Sequence, residues 1–114
     1  MKLKNFLIVV SDVEKSKAFY CGLFGLKVLR DFGENVILSG GLVLQEKKCF
    51  ENFAGLSVGM EGNNAELYFE ETDLAGFIKW FSESDFAIEF VKRERDVVII
   101  RDPDGHLIEI REER

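Results

Sequence analysis

The sequence is poor in the residues that mark several familiar classes of protein. Its 114 residues include two cysteines, one proline and one histidine. Cys21 and Cys49 match no zinc-ligand spacing and are too few for a disulfide framework, which predicts free thiols in a reducing compartment. The histidine, His106, follows a glycine in a predicted turn, where a histidine is more often solvated than bound to a metal.

Excess positive charge and long apolar runs are also missing. The chain has 21 acidic against 15 basic residues and a net charge of −6, which disfavours nucleic acid because phosphates require a basic surface. No stretch approaches the roughly 20 apolar residues of a membrane-spanning helix. The apolar run near the N-terminus is too short for a signal peptide and lacks a cleavage site. These features predict a cytoplasmic protein that binds neither nucleic acid nor membranes.

The residues that are abundant predict a mixed fold. Hydrophobic residues make up 46% of the chain, and eleven of them are phenylalanine, which is enough for one domain with a real core. Ser11 and Glu14 form a capping box that begins a helix, and Gly25 ends that helix. The periodicity predicts strands over 3–10, 26–32, 34–39 and 41–47 around this helix.

The second half of the chain repeats this order. Strands are predicted over 65–71, 86–94, 96–102 and 106–112, with a helix after Asp73. Shifting the chain by 61 residues places Asp12 on Asp73, and a four-residue insertion then places Leu44 on Glu109. Such internal similarity indicates a duplicated βαβββ unit. We therefore predict an α+β single domain over 1–114, made of module 1 (1–48) and module 2 (64–114) joined by a linker (49–63).

Two segments resemble a known family. VSDVEKSKAFYCGLFGLKV, residues 10–28, resembles the first helix and second strand of the vicinal-oxygen-chelate superfamily, which includes glyoxalase, bleomycin-resistance and dioxygenase proteins. RDPDGHLIEIRE, residues 101–112, resembles its last turn and last strand. The resemblance implies tandem βαβββ modules that form curved mixed sheets around a cleft. It also implies one metal ligand on the first strand and one on the last strand of each module.

Carried onto this sequence, those ligand positions are Asn5, Leu44, Glu66 and Glu109. Leu44 has no donor atom and Asn5 is a weak neutral ligand, so the resemblance implies a degenerate metal site. No cofactor is therefore expected. If a divalent metal binds, its ligands are expected to be Glu66 and Glu109 with Glu46 or Asn5, a donor set that suits a hard ion better than zinc. Without metal, two neighbouring carboxylates would raise one pKa and could exchange a proton.

Strand alternation identifies the other side chains expected to face the cleft. Phe50 and Phe53 of the linker either cap the pocket by stacking on a ligand or fill the core beneath a loop. The complete set of predicted ligand-binding residues is Asn5, Leu7, Leu44, Glu46, Phe50, Phe53, Glu66, Tyr68, Glu109 and Arg111. This set mixes apolar and polar side chains, which is typical of a small-molecule pocket.

The preferred functional interpretation is a metal-independent protein that binds a small molecule, such as a drug or a cationic ligand. The resemblance to bleomycin-resistance-type proteins further implies a homodimer with the cleft between subunits. The alternative is a lyase, isomerase or dioxygenase that uses Glu66 and Glu109 around a divalent metal. A third interpretation is a degenerate module that serves only for interaction or sensing.

Overall fold

The computed structural model describes residues 1–60 and 62–113, and within them the same order of strands and helix occurs twice. The first half contains β1 (Phe6–Val10), α1 (Val13–Phe24), β2 (Val28–Asp31), β3 (Asn35–Leu38), β4 (Leu42–Glu46) and the additional helix α2 (Lys47–Ala54). The second half contains β5 (Glu66–Glu71), α3 (Leu74–Ser82), β6 (Glu89–Arg93), β7 (Val97–Arg101) and β8 (Leu107–Glu112). The predicted α+β class and the repeated βαβββ order are confirmed.

The chain divides into two compact units, Met1–Gly59 and Met60–Arg114, and each is built on one four-stranded sheet. The strand order is β1-β4-β3-β2 in the first unit and β5-β8-β7-β6 in the second. In each sheet the first strand pairs in parallel with the last, and the other pairings are antiparallel. Each sheet is therefore mixed, because the helix crosses over between the first strand and the rest.

The core of the first unit lies between α1 and one face of its sheet. Alternate residues of a strand point to the same face, so Ile8 and Val10 share their face with Leu44, and all three are buried. Phe19 and Tyr20 of α1 are also buried, with ring centroids 5.1 Å apart in an edge-to-face arrangement. Large aromatic side chains thus fill the space between helix and sheet, as the phenylalanine content predicted.

The start of α1 differs from the prediction by one residue. Asp12, not Ser11, is the N-cap, and its Oδ1 accepts a hydrogen bond of 3.1 Å from the backbone N–H of Lys15. A carboxylate caps as well as a hydroxyl does and also favours the positive end of the helix dipole. The predicted end is confirmed, because Gly25 adopts the left-handed conformation that closes the helix.

Part of the predicted linker is helical. Glu46 caps α2 by accepting a hydrogen bond of 2.7 Å from the backbone N–H of Cys49, and Gly55 ends the helix in the left-handed conformation. The three glycines over 48–64 indicated irregular structure, but none of them lies inside Lys47–Ala54. A capped stretch free of glycine and proline can form two helical turns, so glycine content alone misplaced the irregular segment.

The second unit repeats the architecture of the first. Asp73 caps α3 as predicted, with its Oδ1 accepting a hydrogen bond of 3.0 Å from the backbone N–H of Gly76. Glu112 at the end of β8 adds a bond of 2.9 Å from the backbone N–H of Leu74. The buried Ile108 and Ile110 of β8 lie on the face covered by α3. The alternation predicted for the last strand is therefore confirmed.

The turn between β7 and β8 is organised by a buried carboxylate. The side chain of Asp102 is 0% exposed and accepts bonds from the backbone N–H groups of Asp104 at 2.9 Å and His106 at 2.8 Å. Its second oxygen lies 2.7 Å from Nδ1 of His106. The histidine expected to be solvated is instead held by Asp102, since the turn places it four residues beyond a carboxylate that needs hydrogen-bond donors.

The register between the two units shows which residues correspond. Leu7 and Ile37 flank Val43 in the first sheet, and Tyr68 and Ile99 flank Glu109 in the second. Glu109 therefore corresponds to Val43, and the predicted correspondence with Leu44 is wrong by one residue. The four-residue insertion lies in the β7–β8 turn as predicted, but the chain from the helix N-cap to the paired residues of the next strand is one residue longer in the second unit. A shift of one residue moves a side chain to the opposite face.

Ser16 on α1 is an isolated polar group in the core of the first unit. It is 0% exposed, and its hydroxyl has no hydrogen-bond partner in the part of the chain that the structure describes. A buried hydroxyl without a partner costs about 1 kcal/mol or more. We expect Ser16→Ala to raise the free energy of unfolding by about 1 kcal/mol, measured by urea denaturation.

The matched control for this change is Ser39→Ala. The hydroxyl of Ser39 accepts a hydrogen bond of 2.9 Å from the backbone N–H of Lys27, so its removal is expected to lower the free energy of unfolding. Destabilisation by both substitutions would show that the hydroxyl of Ser16 is also bonded in solution.

None of the helices within residues 1–60 and 62–113 is long and apolar enough to cross a membrane.

Candidate functional site

The face of the second sheet that α3 leaves uncovered carries a cluster of polar side chains. Glu66, Tyr68 and Glu70 alternate along β5, and Glu109 and Arg111 alternate along β8 beside them. In the parallel pairing, Tyr68 lies opposite Glu109, and Glu70 lies opposite Arg111. Residues opposite one another in a sheet project to the same face. The structure thus brings together the four residues predicted in the second module as ligand-binding: Glu66, Tyr68, Glu109 and Arg111.

Arg111 is bound to Glu109. Its Nε and Nη2 both lie 3.1 Å from Oε2 of Glu109, whose side chain is only 15% exposed. Nearby, the hydroxyl of Tyr68 donates a bond of 3.2 Å to Glu70. The hydrogen bond to Glu109 raises the pKa of Arg111. The site therefore contains one carboxylate held by a guanidinium and a tyrosine whose ring is half exposed, at 52%.

The pKa of Glu66 is raised by its surroundings in this cluster. Partial desolvation, a hydrogen bond shared with Glu109 and the negative charge of Glu109 raise the pKa of Glu66, while the charge of Arg111 opposes them. Loss of water around the phenol, together with Glu70, raises the pKa of Tyr68. The predicted pairing of Glu66 with Glu109 thus has the expected electrostatic effect, because two close carboxylates favour one shared proton.

A shallow depression borders this cluster. It has a volume of about 350 Å³ and is lined by Asn63, Asn64, Ala65, Glu66, Ile99 and Leu107. The amide side chain of Asn63 accepts a bond of 3.0 Å from Arg101. Apolar residues of β7 and β8 therefore form one wall, while amide and carboxyl groups form the rim. This mixture suits a small ligand with both an apolar and a hydrogen-bonding part.

In the first unit, the corresponding face is less charged. Leu7 is exposed and Asn5, which precedes β1, is partly buried. The amide of Asn35 donates a bond of 2.8 Å to Gln45, and Gln45 donates one of 3.3 Å to the sulfur of Cys49. Sequence reasoning missed this polar chain; the strand alternation of Gln45 with Leu7 and Val9 could have revealed it once the register was correct.

Four other predicted ligand-binding residues are not on that face. Leu44 is 0% exposed beneath α1, so it cannot face a cleft with Leu7. Glu46 shares the parity of Leu44 and caps α2. Both positions were misassigned by the one-residue register error. Phe50 and Phe53 lie on α2, where Phe50 is half-buried and Phe53 is 87% exposed.

The donor set does not fit the divalent metal that the resemblance implies. Among the residues that the structure describes, no three His, Cys, Asp or Glu side chains are grouped to hold an ion. Hard cations take six or more oxygen ligands, whereas this face offers Glu66, a Glu109 already bound by Arg111, and a Glu70 that accepts a bond from Tyr68.

Comparisons with known proteins agree with this architecture. A family model described as a glyoxalase-like domain matches residues 3–113. No match was found among curated proteins. A crystal structure of a protein of unknown function from Agrobacterium tumefaciens is 30% identical, with a TM-score of 0.82 over 100% of this chain and 95% of that chain.

Two further solved structures share the fold at lower identity. A glyoxalase-related enzyme from Fulvimarina pelagi is 18% identical, with a TM-score of 0.83 over 98% of this chain and 88% of its own. A lactoylglutathione lyase from Agrobacterium tumefaciens is 20% identical, with a TM-score of 0.66 over 97% of this chain and 92% of its own.

Proposed function

This chain belongs to the glyoxalase-like domain family, and from that premise we propose that it binds a small organic cation without a metal. The proposed site is the sheet face that carries Glu66, Tyr68 and Glu109. The observation that carries the proposal is the pair of contacts of 3.1 Å between the guanidinium of Arg111 and Glu109. Both contacts are to Oε2 of Glu109, an oxygen that a metal would need as a ligand. They also hold the carboxylate of Glu109 in a fixed position for an organic ligand.

The charge of the face favours a cation. On β5 and β8, Glu66, Glu70 and Glu109 contribute three carboxylates against the guanidinium of Arg111. Arg101 on β7 shares this face and is paired with Glu89. An excess of negative charge on one surface attracts cations and orients them as they approach. The half-exposed ring of Tyr68 adds a surface on which a flat cationic group can stack. A planar cation with an apolar body therefore complements both the rim and the apolar wall of the depression.

A second candidate function is a metal-dependent lyase, isomerase or dioxygenase. The observation that favours it is that Glu66 and Glu109 lie on one face of neighbouring strands, where desolvation and the interaction with Glu109 raise the pKa of Glu66. Two adjacent carboxylates are a common start of a divalent-cation site. In that case a bound ion would supply a Lewis acid that polarises a substrate oxygen. The two carboxylates would hold it, and Arg111 would have to release Glu109.

Binding of benzamidine, a planar aromatic cation, distinguishes the two functions. We expect the chelator-treated protein to bind it, and Tyr68→Ala to weaken binding about tenfold through loss of the stacking surface. Titration calorimetry measures both affinities. The control is Phe32→Ala, which removes an equally exposed aromatic ring, 63% exposed, from the β2–β3 turn of the first unit and should leave the affinity unchanged.

The same protein, purified without chelator, is then analysed for metal and tested for thermal shifts with Mg²⁺, Mn²⁺ and Zn²⁺. We expect no stoichiometric metal and no shift. A stoichiometric metal that is lost in Glu109→Ala would instead establish the second function. Absence of benzamidine binding, or equal weakening by Tyr68→Ala and Phe32→Ala, would reject the proposed cation site.

A further inference from the structure

A second groove lies on the opposite side of the sheet in the second unit, between the side of α3 and the end of β6. Its volume is about 420 Å³, and it is lined by Ala75, Ile78, Lys79, Ser82, Glu83, Arg93 and Glu94. Ala75, Lys79 and Ser82 follow one another along one side of the helix, as residues three or four positions apart do. The groove is thus separate from the face that carries Glu66 and Glu109.

The equivalent place in the first unit is closed by ion pairs. Nζ of Lys17 on α1 lies 3.0 Å from Glu14, one helical turn away, and 2.9 Å from Asp31 at the end of β2. These three side chains bridge the helix to the edge strand. The two units repeat the same elements. The three paired side chains of the first unit therefore occupy the position that is a groove in the second unit.

In the second unit, all three bridging residues are replaced. Ala75 stands where the first unit has Glu14, Ile78 where it has Lys17, and Arg93 where it has Asp31. The small and apolar replacements on α3 cannot bridge to β6, so the space between helix and strand stays open. The replacement of an acidic residue by Arg93 also reverses the charge on the strand side.

Two cations of the groove have no acidic partner in the part of the chain that the structure describes. Lys79 and Arg93 form no ion pair within the described residues, and Arg93 instead lies over the ring of Phe90 at 5.2 Å. The carboxylate of Glu94 is already paired with Lys92 at 2.9 Å. Glu83 lies at the C-cap of α3, at one end of the groove. The groove therefore has an unbalanced positive charge beside an apolar floor.

We propose that this groove binds a small organic anion, a carboxylate or a phosphate ester with a compact apolar body. The anionic group lies between Lys79 and Arg93, where the guanidinium donates paired hydrogen bonds and the ammonium adds a point charge. The hydroxyl of Ser82 is a further donor on the same side of the helix. Ala75 and Ile78 contact the apolar body. Organic carboxylates and free phosphate both carry the anionic group that Lys79 and Arg93 would bind. Only the organic carboxylate has an apolar body that can contact Ala75 and Ile78.

Two probes, butyrate and inorganic phosphate, test the site by perturbation of backbone amide signals of α3 and β6 in the complete chain. We expect butyrate to bind more tightly than phosphate, because only butyrate uses the apolar floor. Lys79→Ala and Arg93→Ala should each weaken binding about tenfold, the loss of one charge-assisted contact. Arg95→Ala, which removes an exposed cation that does not line the groove, should not change it.

Two further variants test the argument from the repeated unit. Ala75→Glu restores the acidic residue of the first unit at the same helical position, so it should pair with Lys79 and abolish binding. Glu83→Gln removes the remaining negative charge and should tighten binding. Both effects have signs that a general loss of folding would not produce together.

The inference is overturned if neither probe perturbs α3 and β6 at millimolar concentration. It is also overturned if Arg95→Ala weakens binding as much as Arg93→Ala, which would indicate attraction to general surface charge. If phosphate bound more tightly than butyrate, the proposal that the ligand has an apolar body would be rejected. Far-ultraviolet circular dichroism of each variant verifies folding, and Lys79→Ala decides the outcome if Ala75→Glu does not fold.

Discussion

Replacing Asp102 with alanine is expected to lower the free energy of unfolding by about 3 kcal/mol, because it leaves three partly buried donors without a partner. The groups that lose their acceptor are the backbone N–H groups of Asp104 and His106 and the Nδ1 of His106. They lie 2.9, 2.8 and 2.7 Å from the carboxylate oxygens of Asp102. The same turn joins β7 to β8, so the loss loosens two central strands of the sheet. Chemical denaturation of Asp102→Ala measures the effect, with Asp85→Ala, an exposed acidic residue, as the control expected to change little.

The contribution of His106 to this turn has a defined pH dependence. Burial acts to lower the pKa of His106, but the hydrogen bond and charge of Asp102, with the charge of Asp104, outweigh it and raise the pKa above 6.5. A group whose pKa is higher in the folded state stabilises the fold fully below its unfolded pKa, and this contribution disappears as the pH rises through the folded pKa. The stability difference between wild type and His106→Ala should therefore be larger at about pH 5.5 than at pH 8.5. An equal difference at both values would show that folding does not change the pKa of His106.

Local signals predicted much of the fold correctly. Gly25 ends α1 and Asp73 begins α3, because capping depends on a few neighbouring residues that the sequence shows directly. The repeated order of elements also follows from local periodicity. Glu66 and Glu109 were placed together by the family resemblance, and alternation along each strand then identified the neighbouring side chains on the same face.

The register between the two units depends on connections that carry no periodicity. The chain from the helix N-cap to the next strand is one residue longer in the second unit, and this was enough to exchange Val43 for Leu44 and to place Leu44 and Glu46 on the wrong face. The residue of the first unit that corresponds to Glu109 is therefore Val43, which also has no donor atom. The interpretation of that position as lost is unchanged, although the residue that occupies it was misidentified.

Contacts between particular side chains were the hardest features to predict. The contact between Arg111 and Glu109 joins residues two positions apart on one strand, and its importance follows from Glu66 on the neighbouring strand. Likewise, the imidazole of His106 is oriented by Asp102 because the turn folds back on itself. Composition suggested a solvated histidine, whereas a buried carboxylate needs donors and the turn supplies them.

Replacing Glu109 with glutamine should weaken benzamidine binding about a hundredfold, the product of two effects of about tenfold each. The first is the loss of one negative charge beside Glu66 and Tyr68. The second is the release of the guanidinium of Arg111, which lies 3.1 Å from Glu109 in the wild type and would then face the ligand as an unpaired positive charge. Titration calorimetry measures the affinity. Removing the repulsion with the double change Glu109→Gln and Arg111→Met should recover part of it.

The pH dependence of benzamidine affinity, which follows the protonation of Glu66, independently tests the same substitution. Desolvation, a shared hydrogen bond and the charge of Glu109 raise its pKa in the wild type, so affinity for the cation should fall as the pH drops through that raised pKa. In Glu109→Gln, the pKa of Glu66 should move down, and the loss of affinity should shift to lower pH.

Glu112→Gln is the matched control for Glu109→Gln. It removes the same charge from the same strand, but on the face covered by α3, where Glu112 accepts a bond of 2.9 Å from Leu74. It should cost stability without affecting benzamidine affinity or the pKa of Glu66. If Glu112→Gln and Glu109→Gln weakened binding equally, net charge alone would account for the affinity, and the face that carries Glu66, Tyr68 and Glu109 would not be the binding site.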